Sequence, residues 1–177
     1  MIALISLAPG TSAQPVSASA TINREYAIKA AFLYQFLNYV DWPADAFADD
    51  SAPFVIGVHD ANPFGNVLNQ VTKDKKVAGR AVLVQSVSSA SNVTKCHILF
   101  VPKSVPKAVQ DAVIKAAIGS PVLTVGESDD FISRGGAAQF VLEGNKVRFV
   151  FNQEVIAKDN LKVSSKLLAL AKNTSDK

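Results

Sequence analysis

Cysteine is all but missing from this 177-residue chain: Cys96 stands alone. An intramolecular disulfide and a multi-cysteine metal site are both excluded. Histidine is nearly as scarce, with His59 and His97 the only two. No run approaches the roughly 20 apolar residues that a membrane helix needs, so a membrane-spanning chain is not expected. Charge of one sign is lacking as well: 18 Lys+Arg stand against 15 Asp+Glu, a formal +3 with pI near 9.0. That balance is too even to mark a nucleic-acid protein. Nor is there a GxGxxG, P-loop, HExxH or GxSxG pattern. What remains, 49% hydrophobic and 19% charged, is an ordinary globular composition that excludes disorder and collagen-like repetition. At this length one domain can bury a core without metal or disulfide staples.

Residues 1–20 carry no charge at all. Ile2 to Ala8 is a short apolar run, followed by Pro9, Gly10 and small polar residues. Ala18-Ser19-Ala20 fits the small-x-small pattern of signal peptidase, which predicts a secretory signal over residues 1–20 and a single domain over 21–177. The basic start of such a leader is missing; either translation begins upstream of Met1 or the chain has been shortened artificially. A disordered cytosolic tail is the plainer alternative. The leader reading makes the product an exported, periplasmic protein.

From Asn23 to Val40, Tyr26, Ala30, Leu33, Phe36, Leu37 and Val40 recur at three- and four-residue steps, with Arg24, Glu25, Lys29 and Asn38 between them. This predicts an amphipathic helix capped by Asn23 and stopped by Asp41-Trp42-Pro43. Its aromatic residues cannot all share one face. Either the helix buries a wide stripe, or Tyr34, Tyr39 or Trp42 lies on a partner-binding surface, with Arg134 a lesser candidate. Phe54 to His59, Ala81 to Val87, Cys96 to Val101 and Pro121 to Val125 read as strands. Between them lie a short helix opened by Asn62-Pro63, a turn over Lys75 to Arg80, and a helix from Ser104 to Ile118 that buries Val109, Val113 and Ile114. Such alternation implies parallel pairing. Ala138 to Leu142 and Lys146 to Phe151 flank Glu143-Gly144-Asn145 as an antiparallel hairpin. A last helix runs from about Asn160 to Ala171. The expected fold is a three-layer α/β sandwich with a mixed sheet of about six strands, helices on both faces and an antiparallel C-terminal hairpin.

Each candidate for chemistry has a plainer reading. Cys96 and His97 are adjacent in a strand and point to opposite faces, so they cannot act as nucleophile and base; a buried thiol is expected. His59-Asp60 stands at the C-terminal end of a strand, where open α/β sheets bind ligands. It also serves as an ordinary strand-to-helix turn. The loop Gly126 to Asp130, followed by Arg134-Gly135-Gly136, gathers three carboxylates and a guanidinium, and a solvated turn with an arginine ion pair is the reading preferred over a cation site. Asn92-Val93-Thr94 and Asn173-Thr174-Ser175 match a glycosylation sequon that is common by chance. Lys73, Lys75, Lys76 and Arg80 read as a solvated turn, lacking the interleaved aromatics of a nucleic-acid platform. No catalytic, cofactor or metal residue is expected.

Several segments in order resemble the YfiR family of exported bacterial regulators. They are Tyr26-Ala27-Ile28-Lys29-Ala30-Ala31-Phe32-Leu33-Tyr34 through Val40-Asp41-Trp42-Pro43; Asn62-Pro63-Phe64-Gly65; Val77-Ala78-Gly79-Arg80; Cys96-His97-Ile98-Leu99-Phe100-Val101; Val122-Leu123-Thr124-Val125-Gly126-Glu127; Phe131 to Gly136; Asn145 to Phe149; and Leu161 to Leu168. A homodimer without cofactor is expected, and the resemblance implies a periplasmic, non-enzymatic protein. Such a protein represses a membrane-anchored diguanylate cyclase by binding its periplasmic sensor domain, lowers cyclic di-GMP output and biofilm formation, and can be sequestered by an outer-membrane lipoprotein. Members under redox control use cysteine pairs, and a lone Cys96 puts that control in doubt. A periplasmic small-ligand binding protein is the second reading, since the expected fold is like one lobe of a solute receptor. A hydrolase built on His59 is a distant third.

Overall fold

The computed structural model describes residues 18–172. Helix α1 spans Ala18–Tyr39 and buries Ala30, Leu33, Phe36 and Leu37, the three- and four-residue spacing of its apolar stripe. It starts before Asn23, which lies exposed inside the helix and caps nothing. Ala18, Ser19, Ala20 and Thr21 contain no breaker, and alanine is the best helix former, so the helix extends backward. Of the proposed leader, residues 1–17 lie outside the described residues, and Ala18-Ser19-Ala20 form the first turn of α1. After Tyr39 the chain enters β1 (Val40–Asp41), which pairs antiparallel with β9 (Lys162–Val163).

The main sheet has seven strands in the order β3-β4-β2-β5-β6-β7-β8. These are β2 (Phe54–His59), β3 (Lys76–Val77), β4 (Arg80–Val87), β5 (Ile98–Val101), β6 (Leu123–Gly126), β7 (Ala138–Glu143) and β8 (Lys146–Phe151). Strands β4, β2, β5, β6 and β7 run parallel, and β3 and β8 are antiparallel to their neighbours. The strand beyond the expected six is β3. Its link to β4 is the two-residue turn Ala78 (φ 48) and Gly79 (φ 82), both left-handed as a type I′ hairpin requires. Lys75 to Arg80 is therefore a hairpin rather than a plain turn.

Alternate residues of each central strand feed two cores. On one face Phe54, Ile56, Val58, Ile98, Phe100, Leu123 and Val125 pack against α1 and α2 (Val67–Thr72). On the other, Val87, Cys96, Leu99 and Val101 meet α3 (Lys107–Ala117) and Phe131. Full burial of side chains this size contributes roughly 1.5–3 kcal/mol each. Helix α3 starts after Pro106, not at Ser104, and its buried stripe is Gln110, Val113, Ile114 and Ala117. Val109 falls one residue outside that phase and is 37% exposed, contrary to expectation. The last helix is also different. The chain forms α4 (Gln153–Lys158), turns at Asn160 (φ 56), pairs β9 with β1, and only then forms α5 (Ser165–Leu168). A left-handed Asn160 cannot continue a helix, and the Ser164 side chain caps α5 by accepting from Leu167 N at 3.3 Å.

Candidate functional site

Lys29, read in the sequence as a polar helix position, and Glu127, one of the three loop carboxylates, meet in the interior of the molecule. The Lys29 ammonium, on α1, is buried and bonds both Glu25, one turn earlier, and Glu127, just past β6. Glu127 Oε2 also accepts from Lys103 N at 3.0 Å and from the Tyr26 hydroxyl at 3.3 Å. Burial, and then the neighbouring Glu127 carboxylate, push the Tyr26 phenol well above its ordinary range. The cluster fastens α1 to the C-terminal ends of β5 and β6. Lys29 and Glu127 both lie in segments that carry the family resemblance, but nothing in the sequence pairs them.

Beyond Glu127, the acidic loop folds around Phe131. A Cβ added to Gly126 or Gly136 would come within 2.2 Å of the Phe131 ring, so both positions need glycine to let the ring lie against the backbone. Arg134 reaches across to α3. Its guanidinium bonds Asp111 and Gln110 and lies 3.2 Å from Asp130 Oδ1. Of the loop carboxylates, Asp130 pairs with Arg134 as preferred in the sequence reading, but Glu127 is buried against Lys29 rather than solvated, and Arg134 is engaged within its own chain.

The three aromatic candidates are not brought together. Tyr34 is half-buried, packed on the core with the Lys75 ammonium 4.8 Å above its ring. Trp42 meets Phe54 edge-on at 5.4 Å, and its Nε1 is buried without a hydrogen-bond partner. His97 lies in the same aromatic group, stacked on Phe47 at 4.5 Å, with Nδ1 accepting from Val55 N at 3.0 Å. Burial holds the His97 pKa down at about 4. Arg80 covers the outer side of Phe47, 4.0 Å from its centroid, and donates to the carbonyls of Asp49 and Ala52. It is a structural clamp rather than a member of a solvated turn. Tyr39 alone of the three is exposed, at 40%. It borders a groove of about 340 Å³ between α1 and α5, with Phe32, Gln35, Lys166, Leu167 and Leu170. Leu170, in the turn that follows α5, is 64% exposed.

His59 is buried at the end of β2, with Nδ1 3.1 Å from Asp60 Oδ2 but in poor hydrogen-bond geometry. Cys96 packs into the space left by Gly57, and burial raises its thiol pKa. Among the described residues no group of three His, Cys, Asp or Glu side chains could hold a metal. None of the described helices is long and apolar enough to cross a membrane.

No curated protein matches the chain. The motif residues noted above, from Tyr26 and Lys29 through Glu127, Phe131 and Arg134, all lie inside residues 26–172, the span matched by one family model. The chain belongs to the YfiR/HmsC-like family.

Proposed function

We propose that this protein is a periplasmic repressor that binds the periplasmic sensor domain of a membrane-anchored diguanylate cyclase and lowers cyclic di-GMP output. The family match over most of the chain carries this reading, since the family consists of non-catalytic periplasmic regulators. The leader-like residues 1–20 agree with export. A protein that regulates by contact needs an exposed anchor, and the α1–α5 groove offers one: Tyr39 beside Leu170 and Phe32, rimmed by Gln35 and Lys166. Aromatic anchors in an apolar setting with a polar rim dominate protein interfaces. Capture of the repressor by an outer-membrane lipoprotein would then relieve the cyclase.

The direct test is titration of the purified chain into the isolated periplasmic sensor domain of a membrane-anchored diguanylate cyclase from the same organism, together with cellular cyclic di-GMP after gene deletion. Deletion should raise cyclic di-GMP, and Tyr39→Ala should weaken binding about thirtyfold, as truncation of a central anchor does. Unchanged cyclic di-GMP together with no binding would discard the reading.

A further inference from the structure

The two edges of the main sheet are treated differently. At the β8 edge, Lys146 and Arg148 are charged, and Lys172 N donates to Phe149 O at 2.8 Å, so the chain itself covers part of the strand. The β4 edge has no such protection. Strand β4 is eight residues long, and β3 pairs only with Arg80 and Ala81. Val87 O faces inward, accepting from Asp60 N at 3.0 Å, so by alternation the N–H and C=O of Val84 and Ser86 face outward. Neither residue's backbone has a partner on that side among the described residues. Natural sheets block such edges with lysine, proline or a bulge. Residues 81–87 contain no proline and no charge, and Leu83 is 51% exposed.

We propose that the open edge of β4 is a homodimer surface, on which two copies pair their β4 strands antiparallel about a two-fold axis at Gln85. Three features favour a second copy. First, no charged residue occurs from Ala81 to Thr94, so two chains of net charge +3 can approach there without like-charge contact. Second, the antiparallel direction keeps the basic residues Lys73, Lys75, Lys76 and Arg80 of each copy at opposite ends of the shared ladder, whereas a parallel pairing would bring them together. Third, the side chains complement each other. Because β3 occupies the edge at Arg80 and Ala81, the free register sets Val84 opposite the partner's Ser86, and these outward-facing residues exchange both backbone hydrogen bonds. Leu83 then lies across from the partner's Val87 in a close, non-hydrogen-bonded pair. Val87 is already buried in the core on the α3 face, so the apolar surface added across the axis comes from Leu83, which shares its parity.

The test uses the full chain. Sedimentation should show a dimer whose dissociation constant rises at least about tenfold in Leu83→Lys, which places two charges in the pair positions on either side of the axis. Because Leu83 is exposed, the melting temperature of the variant monomer should be unchanged. Register is read by crosslinking. Gln85→Cys should oxidise to a covalent dimer, while Val82→Cys should not. Both are made on Cys96→Ala, since the Gln85 amide reaches Cys96 Sγ at 3.6 Å. A monomeric wild-type chain, or a dimer indifferent to Leu83→Lys and uncrosslinked by Gln85→Cys, overturns the proposal. Either result leaves sensor-domain binding through Tyr39 to be judged on its own titration.

Discussion

Lys29 and Arg134 are two cations that clamp two helices to the same segment, the chain running from Gly126 to Gly136, from opposite faces of the sheet. Lys29 fastens α1 to Glu127 with both side chains buried at 3% and 2% exposure. Arg134 fastens the loop to α3 through Asp111, which is 56% exposed. The contacts look alike and their energetics should not. A buried charge left without its partner forfeits solvation that nothing replaces, whereas an exposed one is rehydrated. Burial therefore makes Lys29 a condition for docking α1, and the exposure of Asp111 makes its pairing with Arg134 an adjustment.

The largest effect should come from breaking the buried side. Lys29→Ala leaves Glu127 and Glu25 without their cation and should destabilise the fold by about 3–5 kcal/mol, read as a lower denaturant midpoint. Adding Glu127→Gln should recover part of that loss. Full additivity of the two substitutions would show that the pair does not act as a unit.

A buried base with no carboxylate beside it sharpens the contrast. The His97 pKa is held at about 4, below its ordinary 6.5, chiefly by burial. The folded chain therefore binds fewer protons at this site than the unfolded chain. Its stabilising contribution is complete above the unfolded value and is lost as pH falls from about 6.5 toward about 4. Melting temperatures of the wild type and His97→Gln should converge or cross as pH falls through that window. Parallel curves would remove His97 from the account.

On the exposed side, Arg134→Ala should cost about 1 kcal/mol. Added salt should shrink the difference. A loss as large as that of Lys29→Ala would erase the distinction between the two clamps. The smallest effect on stability belongs to Tyr39→Ala, within about 0.5 kcal/mol, because the side chain is exposed in the free protein. A large drop in melting temperature would make Tyr39 a core residue and move the binding surface elsewhere.

Hydrophobic alternation and turn residues act over a few positions, so the two-sided strands, the amphipathic α1 and the β7–β8 hairpin could be read directly from the chain. Alternation also separated Cys96 from His97, since adjacent residues of the extended segment leading into β5 point to opposite sides. Where a helix begins or divides was less legible. Nothing between Asn160 and Ala171 announces that β9 will leave the helix to pair with Val40, on the far side of the sequence. The same holds for the site. Aromatic excess marked Tyr34, Tyr39 and Trp42, but only the packed structure decided that Tyr39 is the exposed one. Lys29 looked like a solvated helix residue until the fold brought Glu127, 98 positions away, against it. Periodicity reports which side of an element is apolar; the burial of a charge depends on which distant residue arrives to neutralise it, and that is settled only when the layers close.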